Sequence, residues 1–178
     1  MHTPINEWEE ISRETLVEKY GRGMERVVFR LPDGSEREFY IKKEGDPICA
    51  LAITSEKEVI LAKQFRPGPK KVLLELPGGC IEKEESPEHA MERELLEETG
   101  YKGNITLITR AYEDGYSPRR RYCFVATECE KVAEQNLDDG EDIEVALLSL
   151  DEFRNLLRSG EMTDVEVGYL GLDYLGLL

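Results

Sequence analysis

The chain is expected to fold as a mixed α/β (α+β) protein. Its main sheet should be mixed or largely antiparallel, with few helices and a small antiparallel sheet ahead of it. Three observations lead there. Short apolar, β-rich runs recur between turn residues, as in Ile48–Thr54 and Glu58–Phe65. Helical spacing belongs to the stretch after Ser86, to Asp151–Arg158 and to the tail from Asp164. The opening region carries hairpin chemistry at Pro32-Asp33-Gly34-Ser35, between the apolar stretch Met24–Leu31 and the polar run that follows.

Taken in order, residues 7–44 predict short antiparallel strands, and residues 1–45 form an N-terminal strand region distinct from the domain at 46–178. Isolated hairpins are marginal, so this sheet needs something to pack on, a partner subunit being one option. Ile48–Thr54 and Glu58–Phe65 are core strands split by the turn Ser55-Glu56-Lys57. After the basic loop 66–71, Val72–Leu76 is a further strand, closed by Pro77-Gly78-Gly79. Ser86-Pro87 starts a helix, serine capping its orphan N–H groups and proline being pre-shaped for the first position. Gly100 stops it, since glycine takes the left-handed conformation without penalty. Ile105–Tyr112 and Arg121–Thr127 are strands joined by the loop 113–120, and Ile143–Ser149 is the last strand. Phe153, Leu156 and Leu157 mark a helix ending at Gly160, and the tail reads as a core-facing helix.

A length of 178 residues suits one domain with at most a small appendage. The net charge of −15 argues against nucleic acid or an anionic membrane as partner. A small anionic ligand stays possible where a bound metal reverses the local sign. Nothing before Trp8 resembles a signal peptide, no apolar run nears the ~18 residues of a membrane span, and a cytoplasmic protein with four thiols (Cys49, Cys80, Cys123, Cys129) is expected. With His2 and His89 as the only histidines, a histidine-based zinc site or a Ser-His-Asp triad is implausible.

The helix after Ser86 carries the chemistry. Glu94, Glu97 and Glu98 stand at i, i+3 and i+4, so they share one face and repel one another. A divalent cation would turn that repulsion into ligation. As a template the region runs Gly79, five residues, Glu85, seven residues, then Arg93-Glu94-Leu95-x-Glu97-Glu98-x-Gly100-Tyr101. It resembles the Nudix box of the Nudix hydrolases, with Tyr101 where an aliphatic residue is more usual. Gln64-Phe65-Arg66, Glu75-Leu76-Pro77-Gly78-Gly79 and the run Gly140–Val145 look like the ADP-ribose pyrophosphatase branch.

The resemblance implies a Nudix-type α/β/α sandwich and a homodimer in which the N-terminal sheets reach across to the partner. It also implies a pyrophosphohydrolase using two to three Mg²⁺ ions, Mn²⁺ being possible, on a small nucleotide substrate. Magnesium favours oxygen ligands, which suits a glutamate cluster. By resemblance Glu94, Glu97, Glu98 and the Gly78 carbonyl are metal ligands, and Arg93 with Glu85 fixes loop and helix behind them. Glu141 is the first choice for the base or a further ligand, with Asp139 second. Arg66 would hold a phosphate, Glu75 would orient that arginine or the ribose, and Tyr116 would approach the sugar. The branch usually carries proline where Asp114 stands, and Arg119-Arg120-Arg121 follows where an acid is common. That departure opens the way to another nucleotide sugar or a nucleoside triphosphate. A catalytically silent binding module would typically lose box glutamates, and this chain keeps them all.

Overall fold

The computed structural model describes residues 5–178, so His2 lies outside the described residues. Strands β1 (Glu9–Lys19), β2 (Arg22–Arg30) and β3 (Glu36–Glu44) form an antiparallel three-stranded sheet in the order β1-β2-β3. The β2–β3 turn is built as its residues demand. Gly34 takes φ +83°, its N–H donates to the Leu31 carbonyl at 2.9 Å, and Ser35 donates its N–H and Oγ–H to the Asp33 carboxylate. The β1–β2 turn had no such signal. It is made by Tyr20 and Gly21, both left-handed at φ 53° and 70°, the geometry that matches strand twist in a two-residue hairpin.

One face of this sheet gathers Trp8, Phe29 and Phe39, with ring centroids 5.5–6.4 Å apart, over a fully buried Val27. The opposite face is a charge lattice. Arg26 pairs with Glu14 and Glu38, and Arg30 with Glu9 and Glu36. Water screens such exposed pairs and they add little, so the aromatic cluster holds the sheet. Tyr112–Arg120 belongs to one compact unit with the strands of this sheet.

The second unit comprises Asp46–Ala111 and Arg121–Leu178. Its strands are β4 (Pro47–Thr54), β5 (Glu58–Arg66), β6 (Lys71–Glu75), β7 (Gly78–Cys80), β8 (Tyr101–Tyr112), β9 (Arg120–Lys131) and β10 (Ile143–Ser149), the ends of β8 and β9 running into the first unit. They form a seven-stranded sheet along β10-β5-β4-β9-β8, with β6 on β5 and β7 on β4. It is mixed, because β4 runs parallel to β9 while its pairs with β5 and β7 are antiparallel.

Strand periodicity sorts the apolar side chains into two cores. Ile48, Ala50, Ala52, Ile60, Phe124 and Ala126 pack with Ala90, Met91 and Leu95 of α1 (Pro87–Thr99). Cys49, Leu51, Ile53, Val59, Leu61, Cys123 and Val125 pack with α2 (Leu150–Ser159) and α3 (Val165–Tyr174). The result is the α/β/α sandwich that the resemblance implied. Both faces of β4 are covered, which explains why it reads as a continuous apolar run rather than an alternation. All four cysteines stand as thiols, Cys80 exposed and the others buried.

Helix α3 approaches the sheet through glycine. A Cβ on Gly171 would stand 2.7 Å from Leu51 Cδ2 and 2.8 Å from its Cβ. Gly171→Ala should therefore destabilise the protein by about 1–2 kcal/mol, although alanine is the better helix former by about 1 kcal/mol. Urea denaturation checks this, and a gain in stability would contradict the close packing.

Candidate active site

The site begins with how α1 is held. Ser86 Oγ accepts the His89 N–H at 3.2 Å, Pro87 occupies the first turn, and Gly100 at φ +77° returns its N–H to the Leu96 carbonyl. This fixes the rotation of the helix, because Ala90, Met91 and Leu95 must face the sheet. Glu98 lies on the same stripe, three residues after Leu95, and is 4 % exposed. Glu94 and Glu97 are partly buried beside it.

Facing them is β7. Gly78 pairs with Cys49 and Gly79 with Ile48, an extension of the sheet where the sequence suggested only the close of the preceding strand. A side chain at Gly78 would meet fixed backbone at the Ile48 carbonyl, and one at Gly79 would displace the Glu94 carboxylate. The bare backbone instead reaches the acids, the Gly78 N–H donating to Glu98 Oε2 at 3.0 Å.

Arg93 ties the assembly together. Its Nε and Nη2 donate to the two Glu85 oxygens at 3.1 Å each, its Nη1 to Glu94 Oε1 and Glu97 Oε2 at 3.0 Å each, and its Nη2 to the Cys80 carbonyl at 3.2 Å. The hydrogen bonds from Arg93 hold the Glu85 carboxyl below the usual carboxylate range. Glu94 and Glu98 respond oppositely. Burial pushes Glu98 up to about 8, against the pull of the Gly78 N–H, and the charges of Glu94 and Glu141 add to the rise. Burial likewise raises Glu94, with Glu97 and Glu141 contributing and Arg93 opposing.

Glu141 sits in a turn opened by Gly140 at φ +91°. The Glu141 N–H donates to the Asp138 carbonyl, and its carboxylate accepts the Asp138 N–H at 3.1 Å. Three hydrogen bonds that sequence reasoning missed brace this loop. Gln135 Nε2 donates to the Glu98 carbonyl at 2.6 Å and to the Ile143 carbonyl at 3.0 Å, and the Asn136 N–H donates to the Glu97 carbonyl. Nothing in the sequence marks a lone glutamine as such a bridge. Asp139 is exposed in the same turn.

A second cluster surrounds Glu75, which is 1 % exposed. It accepts from Arg66 Nε at 2.7 Å, Arg66 Nη2 at 2.6 Å, Gln64 Nε2 at 2.9 Å and Thr163 Oγ1 at 3.0 Å. Arg66 itself is half-exposed, and its charge bears on Glu98. Tyr116 belongs to the first unit. Its N–H donates to Asp114 Oδ1 at 2.6 Å, its carbonyl accepts the Lys42 N–H, and Lys42 Nζ pairs with Asp114 at 2.6 Å. The arginine run splits three ways: Arg119 pairs with Glu44 and Glu113, Arg120 stacks over the Tyr112 ring, and Arg121 pairs with Asp164 and Glu166.

Among the described residues no three acids, histidines or cysteines already converge as a ready set of ion ligands. The donor chemistry still fits a hard divalent cation. The acids offer only oxygen, and burial plus mutual repulsion disfavour the charged forms of Glu94 and Glu98, which a cation would favour.

Residues 44–167 match the NUDIX domain family, and the chain belongs to it. It is 35 % identical over 150 residues to an ADP-ribose pyrophosphatase of Bacillus subtilis, covering 83 % of this chain and 80 % of that one. It is 29 % identical, with the same coverage, to a methanol dehydrogenase activator of Bacillus methanolicus. In fold it is similar to a solved ADP compounds hydrolase, at TM-score 0.80 over 99 % of this chain and 100 % of that one, with 18 % identity.

The Arg93 clamp should be specific to the guanidinium fork. Lysine at 93 can keep one of these ion pairs but not all, so Arg93→Lys is expected to lose about 2 kcal/mol of stability. Urea denaturation of the two proteins measures the difference.

Proposed function

We propose that the protein hydrolyses the diphosphate of a nucleoside diphosphate sugar, ADP-ribose being the substrate expected first, to AMP and ribose 5-phosphate. The observation that carries the reading is the set of acids on α1, half-buried or buried beside glycine backbone with Glu141 bearing on them electrostatically. The NUDIX family match and the named activity of the Bacillus subtilis relative support it.

Glu94, Glu97, Glu98 and the Gly78 carbonyl would hold two to three Mg²⁺ or Mn²⁺ ions, with Glu141 as a further ligand or as the base. When bound, such ions neutralise phosphate oxygens and lower the pKa of a coordinated water. Glu141, or Asp139 in its place, takes the proton from the attacking water as the water oxygen bonds to phosphorus and the bridging P–O bond breaks. Arg66 holds a phosphate through the guanidinium edge not used on Glu75. Tyr116 approaches the sugar end. Arg93 and Glu85 keep Glu94 and Glu97 in place.

A different nucleotide sugar is the second reading. It is favoured by the charged loop after Tyr112, where Asp114 is committed to Lys42 and Arg119 to Glu44 and Glu113. The N-terminal unit is assigned to homodimerisation. Its first sheet leaves Ile11, Leu16, Val17 and Tyr40 exposed, and light scattering should give twice the chain mass.

A screen of ADP-ribose, other nucleotide sugars and nucleoside triphosphates with Mg²⁺ or Mn²⁺ tests the reading. Activity should vanish with a chelator and return with the metal, and AMP with ribose 5-phosphate should appear from ADP-ribose. Release of inorganic pyrophosphate from triphosphates alone would replace the assignment. Glu94→Gln and Glu98→Gln should each lower kcat roughly a hundredfold, about 3 kcal/mol of transition-state stabilisation, while remaining folded. Glu141→Gln should lower kcat more than it raises KM; a normal kcat would move the base elsewhere.

A further inference from the structure

The segment entering α3 contains an aspartate that does not do what its position suggests. Asp164 is the N-cap of α3, yet it makes no side-chain cap, and it holds φ +58°, a conformation costly for a residue with a Cβ. Its carboxylate turns instead toward Arg121 Nη1, which pairs with Oδ1 at 2.6 Å, and toward the Thr163 hydroxyl, 2.8 Å from Oδ2. A strained residue that forgoes its local hydrogen bond points to a task elsewhere.

That task lies one residue back. We propose that Thr163, held by Asp164, is a positioning residue that orients Arg66 through Glu75. The proposal rests on the reading of Arg66 as the ligand of a substrate phosphate. The geometry of Glu75 makes the argument. Its Oε2 receives three donors, Gln64 Nε2 and Arg66 Nε and Nη2, whereas Oε1 receives Thr163 Oγ1 alone among the described residues. A carboxylate fixed at one oxygen can still rotate about its terminal torsion, which is broad for such groups. Anchoring the second oxygen stops that rotation and sets the plane on which the Arg66 guanidinium lies.

Thr163 has one hydroxyl proton and two acceptors, Glu75 Oε1 and Asp164 Oδ2. Each acceptor belongs to a carboxylate already paired at its other oxygen, Asp164 with Arg121 and Glu75 with Arg66, so the hydroxyl bridges the two ion pairs. The parallel bridge between Leu74 and Met162 sets the Thr163 backbone beside β6, next to Glu75. Arg121, Asp164, Thr163, Glu75 and Arg66 thus form one chain of contacts from the start of β9 to the proposed phosphate ligand.

The test compares Thr163→Val, which keeps the shape and removes the hydroxyl, with Thr163→Ser, which restores it. With ADP-ribose and Mg²⁺, Thr163→Val should raise KM about fivefold to tenfold with kcat within about twofold, and Thr163→Ser should return KM to the wild-type value. In an Arg66→Ala background the Val substitution should change KM less than about twofold, because its effect runs through Arg66. Equal effects in both backgrounds, or wild-type kinetics in Thr163→Val, would overturn the proposal. A second readout needs no turnover. In ¹H–¹⁵N spectra the Arg66 Nε–H resonance should shift or broaden in Thr163→Val and recover in Thr163→Ser. An unchanged resonance overturns the proposal; a changed one, in an enzyme that hydrolyses no nucleotide sugar, overturns the functional reading and leaves the positioning role standing.

Discussion

The structure depends on one electrostatic difficulty: carboxylates crowded on a helix face that also packs against a sheet. Glu98 shares its stripe with Met91 and Leu95, so the packing that buries those apolar side chains buries the acid too. Left alone, a carboxylate in such surroundings would take up a proton or pull the helix away. Three features limit the cost. The Gly78 N–H donates to Glu98, Gly79 leaves room for the Glu94 carboxylate, and Arg93 sets one guanidinium among three glutamates. These features are opposed to the acids by position rather than scattered among them. Each side chain that would interfere is absent, and each donor is backbone or a rigid fork.

How legible this was depended on how local each determinant is. Helix α1 could be read because its cap, its proline, its stop and the spacing of its glutamates lie within one short stretch. The strands could be read because both faces of β4 and β5 are apolar. The Tyr20-Gly21 turn could not, since tyrosine is an unusual residue in a left-handed position and only strand pairing imposes it. The β7 pairing was equally hidden. Its glycines look like a turn, and only the neighbouring Ile48 and Cys49 backbone makes them a strand. Gln135 and Thr163 were invisible for a related reason: each meets a partner tens of residues away, at 37 positions for Gln135 to Glu98 and 88 for Thr163 to Glu75.

The arginine run shows how neighbours in sequence part company in the fold. On a strand at most part of Arg119-Arg120-Arg121 can point to one face. The structure divides them by strand alternation and local geometry, and gives Arg119 and Arg121 acidic partners of their own. Arg66, the arginine proposed to hold a phosphate, has its Nε and Nη2 engaged by Glu75 and stays half-exposed. Composition locates charge along the chain; the carboxylates around it decide which of that charge is available.

The two clusters solve opposite problems by the same means. Around Glu75 a buried acid is saturated with donors, and its charge is used to orient an arginine. Around Glu98 a buried acid is left under-supplied, with the Gly78 N–H donating to it and other acids close by. Glu75 lies on the sheet and Glu98 on the helix packed against it, and both are buried, so burial alone does not distinguish the two arrangements. The balance of donors does. A satisfied carboxylate is rigid and has nothing left to bind, whereas an under-satisfied one favours any cation that completes it. Binding to the folded chain and not to the unfolded one then returns stability in proportion to RT ln(1 + [L]/Kd). A cation bound there, as proposed, would therefore add most stability at the acid that α1 holds least comfortably, Glu98.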